Sequence, residues 1–167
     1  LALTQPHLLR RVIVADIAPV TYGHTQQMFI DAMRGVDLTQ IERRSDAEAQ
    51  LATAGVERAL QSFFTQSLDV PGKRWRLNLD ALEAEMPKII GWPDDVSGQF
   101  AGPTLFLSGG ASDYVQPEHR EAIKALFPQA RFAKIPGAGH WLHAEKPREF
   151  EAMLRIFLNA EGAPPVG

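Results

Sequence analysis

The chain has 167 residues, 45% of them hydrophobic and 22% charged, which suits a compact body with enough apolar material for a core. Its 17 Lys and Arg stand against 20 Asp and Glu, a net charge of −3, so the basic footprint of a nucleic-acid binder is absent. There is no cysteine, which excludes disulfides, thiolate catalysis, Cys-ligated zinc and iron–sulfur clusters. No apolar run approaches the about 20 residues of a membrane span, and Thr4, Gln5, Pro6 and His7 interrupt the first nine residues. The expectation is a cytoplasmic protein with no signal peptide and no membrane association.

Residues 11–17 are predicted as the first strand, because Val12, Ile13 and Val14 form a β-branched run that fits a strand buried on both faces of a parallel sheet. Ala18-Pro19-Val20 ends it. Ser45-Asp46-Ala47-Glu48 is a capping-box pattern opening a helix that closes near Gly55. Residues 56–68 carry Leu60, Phe63, Phe64 and Leu68 and read as a further amphipathic helix. Residues 74–77 alternate as a short strand, and residues 79–86 return to helix before Pro87.

The second strand is residues 103–108, stopped by Gly109-Gly110, and the third is residues 131–136, stopped by Gly137-Ala138-Gly139. Between them residues 117–127 form a helix that Pro128 ends. Residues 147–158 place Phe150, Met153, Leu154, Phe157 and Leu158 on one helical face, with Pro147 suited to the first turn. This alternation predicts right-handed βαβ units on a parallel sheet. Residues 25–92 read as a mostly helical insertion, and residues 162–167 as a frayed tail.

His140 follows the third strand, on the rim where open α/β sheets bind ligands beyond the carboxyl ends of their strands. Flanking glycines let the loop turn tightly, and an imidazole exchanges protons near neutral pH. A catalytic histidine needs a carboxylate to fix its tautomer. Asp16 ends the first strand and Asp113 follows the second; either is a candidate, and the other serves as a helix cap or Asx-turn. His143 reads as a packing residue, since two histidines without a partner carboxylate are a weak metal signal. His24 fits turn chemistry, and Asp94-Asp95 a solvated loop.

Taken in order, Val14-Ala15-Asp16-Ile17-Ala18-Pro19-Val20, Leu105-Phe106-Leu107-Ser108-Gly109-Gly110-Ala111-Ser112-Asp113-Tyr114-Val115 and Gly137-Ala138-Gly139-His140-Trp141-Leu142-His143-Ala144-Glu145-Lys146-Pro147 resemble the C-terminal portion of the α/β-hydrolase fold. They look most like carboxylesterases of the YbfF type and their ABHD11-like relatives. The resemblance implies parallel strands 6, 7 and 8 with flanking helices. Residues 1–24 and 93–161 would form that core, and residues 25–92 a helical cap inserted after strand 6.

It also implies serine carboxylic ester hydrolysis, with a Gly-x-Ser-x-Gly nucleophile elbow upstream of strand 6 and the triad in the order Ser, acid, His. None of Ser45, Ser62, Ser67, Ser97, Ser108 and Ser112 has a glycine two positions away on both sides. The expectation is therefore a truncated hydrolase, beginning at the end of the helix after the elbow and inactive alone. In the wider fold the acid lies in a Gly-x-x-Asp-x-x-Val spacing. Aligning Gly109 and Val115 to it puts Ser112 in the acid's place and Asp113 one residue late. The YbfF-like relatives use the strand-6 aspartate, which corresponds to Asp16, so Asp16 is favoured with Asp113 as the alternative.

No cofactor or metal is implied. The expected partners are a small-molecule ester and either the missing N-terminal half or a second copy of the chain, covering the apolar edge of residues 12–17. Dehalogenase, epoxide-hydrolase or C–C-hydrolase chemistry shares the histidine and strand-end acid, and a non-catalytic interaction module is a further alternative. Phe29, Met33, Phe63, Phe64, Trp75 and Trp92 are expected to divide between the cap core and an apolar acyl pocket.

Overall fold

A computed structural model describes residues 1–23, 25–93 and 95–160. The strands are β1 (Val12–Ala15), β2 (Leu68–Asp69), β3 (Arg74–Trp75), β4 (Thr104–Gly109) and β5 (Ala130–Ile135). The helices are α1 (Gln27–Arg34), α2 (Arg44–Thr53), α3 (Arg58–Thr65), α4 (Leu79–Ala84), α5 (Met86–Ile90), α6 (Arg120–Leu126), α7 (Leu142–Glu145) and α8 (Pro147–Asn159). The chain divides into two compact units, Leu1–Val20 with Trp92–Gly167, and Thr21–Gly91. Among the described residues no helix is long and apolar enough to cross a membrane.

The first unit is built on a parallel sheet in the order β1-β4-β5, with Val14 opposite Phe106 and Phe106 opposite Phe132. Strand periodicity sorts its side chains onto two faces. Val12, Val14, Phe106 and Phe132 pack with Ile123, Leu126 and Phe127 at α6. Ile13, Leu105, Leu107, Ala133 and Ile135 pack with Leu142 of α7 and with Phe150, Met153, Leu154 and Phe157 of α8. Apolar layers on both faces and a strand on each side leave β4 buried throughout. The reading of the first strand as buried on both faces is corrected: Val12, Ile13 and Val14 are only partly buried, because among the described residues β1 has a strand on one side alone.

The segment before β1 is one helical turn, closed by Gln5 N–H on the Leu1 carbonyl at 2.8 Å, followed by a 3₁₀ turn at Pro6–Leu8. Proline disfavours helical backbone at the residue before it, and Gln5 sits outside the helical region at φ −140°.

The second unit has its own core of Met33, Val36, Ile41, Ala47, Leu51, Val56 and Leu68, with Phe29, Phe64 and Trp75 against it. Phe63 is exposed and Trp92 belongs with the sheet unit. The cap of α2 differs from the expected Ser45…Glu48 box: Asp46 reaches back to accept the Glu42 and Arg43 N–H groups at 2.9 and 3.0 Å. Residues 56–68 are not one helix. The α3 helix stops at Thr65, where Ser67 turns its hydroxyl onto the Phe64 carbonyl at 2.7 Å, and Leu68 pairs with Trp75 in a hairpin. Pro87 does not follow the last helix but lies in the first turn of α5, where its missing N–H leaves no bond unmade. His24, Asp94 and the tail expected at residues 162–167 lie outside the described residues, while Asp95 is exposed.

Candidate active site

Asp16 is the residue after β1, and its N–H still donates to the Leu107 carbonyl of β4 at 2.8 Å. Its φ of +51° lies in the left-handed region. The backbone turns there and leaves the carboxylate against the end of β4, fully buried. Oδ1 accepts the Gly109 N–H at 2.9 Å. Oδ2 accepts the Ser112 hydroxyl at 2.5 Å and meets His140 Nδ1 at 2.8 Å. Burying a carboxylate is costly unless donors replace its water, and three converge on this one.

A carboxylate Oδ2 is an acceptor, so the contact matches the tautomer with the proton on Nδ1, which in a neutral imidazole leaves Nε2 its lone pair. The His140 side chain is 42% exposed. Its loop is tied to the loop after β4. Gly110 N–H donates to the Ile135 carbonyl and Ala111 N–H to the Ala138 carbonyl, each at 2.8 Å. A Cβ at Gly109 would lie 2.2 Å from the Gly139 carbonyl oxygen, so only glycine permits this approach. Gly139 N–H donates in turn to Glu145 Oε2 at 2.8 Å, which pins the backbone immediately before His140 to α7. The Tyr114 ring stacks on the imidazole, centroids 3.9 Å apart and planes inclined by 18°.

The structure thus brings His140 and Asp16 together. Asp113 is exposed and forms no hydrogen bond with His140; the turn directs its neighbour Ser112 to the buried carboxylate instead. His143 is exposed and has ring contacts with Trp141 and Phe150. Sequence reading missed three contributors. Ser112 stands at the acid's position in the Gly109…Val115 spacing, a signal that it faces the histidine's partner. Tyr114 and Glu145 carried no comparable local signal. Among the described residues no group of three or more His, Asp or Glu is placed to hold a metal ion.

The profile of the Alpha/beta hydrolase family matches residues 1–153. The chain is 40% identical over 166 residues to the sn-1-specific diacylglycerol lipase ABHD11 of Mus musculus, covering 95% of this chain and 54% of the mouse protein. It is 36% identical over 150 residues to the esterase YbfF of Escherichia coli K12, covering 89% of this chain and 58% of that protein. Among solved structures, a marine microorganism esterase matches with a TM-score of 0.86 at 31% identity, over 93% of this chain and 63% of that one. The chain spans about half the length of the curated relatives it matches. The expected class, a parallel sheet with flanking helices in a partial α/β-hydrolase fold, is the one found.

Proposed function

Because this chain belongs to the alpha/beta hydrolase family, we propose that it supplies the acid–base part of a serine-type carboxylic ester hydrolase, with His140 as base and Asp16 as its orienting acid. The mostly helical unit Thr21–Gly91 is its inserted cap. The 2.8 Å contact of Asp16 Oδ2 with His140 Nδ1 carries this reading. With Nδ1 engaged, Nε2 takes the proton of a serine hydroxyl as that oxygen attacks the ester carbonyl. The imidazolium then gives the proton to the departing alcohol, and a water deprotonated by the same Nε2 releases the acyl group. Asp16 holds the ring and balances the charge that appears on it. Lipase and esterase are the activities named for the mouse and Escherichia coli relatives, which favours an ester over a haloalkane, an epoxide or a carbon–carbon bond.

The nucleophile is not among these residues, since no Gly-x-Ser-x-Gly occurs in the chain. Loss of a triad member leaves about 10³–10⁴-fold over water through the oxyanion hole, and those donors belong beside the elbow and in a loop upstream of it. The chain alone is accordingly expected to show no turnover of a p-nitrophenyl ester. Adding a polypeptide that carries the elbow half of such a hydrolase restores turnover, and His140→Ala abolishes it. Turnover by the chain alone that depends on His140 overturns the proposal.

A further inference from the structure

We infer that Tyr114 is a positioning residue for His140, its ring holding the imidazole in the plane in which Nδ1 meets Asp16 and Nε2 is presented outward. This rests on the reading of His140 as the base. One hydrogen bond fixes one atom of a ring and leaves the plane free to turn about it. The loop hydrogen bonds fix the backbone at His140, but its side chain is 42% exposed, so packing restrains the plane of the ring little. A near-parallel ring at 3.9 Å supplies the missing restraint, because the imidazole cannot rotate out of plane without losing the stack. The edge of Trp141, at 6.3 Å and 79°, is too distant and too steep to replace it.

The backbone ties this restraint to the carboxylate. Ser112 Oγ donates to Asp16 Oδ2 at 2.5 Å and accepts the Tyr114 N–H at 3.3 Å. One short turn therefore grips the acid through residue 112 and the face of the base through residue 114. The separation of the two grips is set by the chain path and not by long, flexible side chains. The stack also covers one face of the imidazole against water, and an aromatic face attracts the imidazolium that forms during turnover. None of this needs the phenol hydroxyl. Phenylalanine can do the same work, and leucine cannot.

The test is nuclear magnetic resonance of the full 167-residue chain labelled with ¹⁵N on its histidine rings, so it needs no nucleophile. In the unaltered chain His140 is expected as a single Nδ1–H tautomer, its Cδ2 and Cε1 protons displaced upfield by the stacked ring. Tyr114→Phe keeps both signatures. Tyr114→Leu gives mixed tautomers, with the Nδ1 proton exchanging about fivefold faster, roughly the population change that one aromatic pair is worth. A leucine variant with the unaltered tautomer and exchange rate overturns the inference. So does an unaltered chain without the upfield displacement, a measurement that stands should the leucine variant fail to fold. Asp16→Asn separates the two levels. If it loses the tautomer while Tyr114→Leu keeps it, the role of Tyr114 falls and the acid–base pair stands; if Asp16→Asn keeps it, the pair itself falls, and the inference with it.

Discussion

Asp16 occupies a backbone region that costs a residue with a Cβ on the order of 1–3 kcal/mol, and it is fully buried as well. Three donors on its two oxygens are what such a position requires in return. In a complete hydrolase of the kind proposed above, Asp16→Asn is expected to lower ester turnover by about 10⁴-fold, because an amide no longer selects the Nδ1–H tautomer of His140; steady-state kinetics on a p-nitrophenyl ester measures it. Gly109 is the second exacting position. Its missing Cβ would meet the carbonyl oxygens of Gly139 at 2.2 Å and Ala138 at 2.5 Å, both backbone atoms that move only with their loop. Gly109→Ala should cost about 2–3 kcal/mol in urea unfolding, at the upper end of what overpacking usually costs. At this scale His140 stood out as a candidate, because two glycines between the strand end and the histidine announce a turn. The choice between Asp16 and Asp113 was not legible from the residues alone, since each follows a strand and each suits a cap.

Among the elements, β4 carries the largest share of the packing. Leu107, without exposed surface, lies between β1 and β5 and faces α7 and α8, so Leu107→Ala is expected to cost about 2–5 kcal/mol in the same measurement. The α2 helix depends on a different device. The backbone N–H groups of Glu42 and then Arg43 hold the Asp46 carboxyl below the ordinary carboxylate range, against the opposing effect of desolvation. A carboxyl depressed in the folded state stabilises above its unfolded range, and that contribution disappears as pH falls through the folded value. The difference in urea midpoint between the unaltered chain and Asp46→Ala should therefore be full near neutral pH and close on acidification below the carboxylate range. A pH-independent difference would show that the cap acts without its charge. The helix was readable here from its capping-box pattern, although Asp46 and not the Ser45…Glu48 pair makes the cap. The end of α3 was not, because Leu68 serves a helical stripe and a strand position equally well and the hairpin with Trp75 decides between them.

At the scale of the molecule, the outer edge of β1 has no strand beside it among the described residues, and Leu8 and Ile17 near its ends are 58% and 48% exposed. We propose that this edge is covered by the polypeptide carrying the nucleophile or, without it, by a second copy of the chain. Sedimentation at micromolar concentration should show association, and a stable, well-folded monomer would sink the idea. Two β-branched or apolar runs stopped by glycines, a helix opened by Pro147 and a histidine past a strand end are properties of neighbouring residues, so consecutive letters were enough to read a parallel sheet with a candidate base on its rim. The pairing of that base with Asp16 spans 124 positions, and the grips of Ser112 and Tyr114 depend on how two loops meet. Those contacts follow from the order β1-β4-β5 and from a glycine narrow enough to let the loops touch. No local pattern encodes them, because the energy that selects them exists only once the sheet has closed.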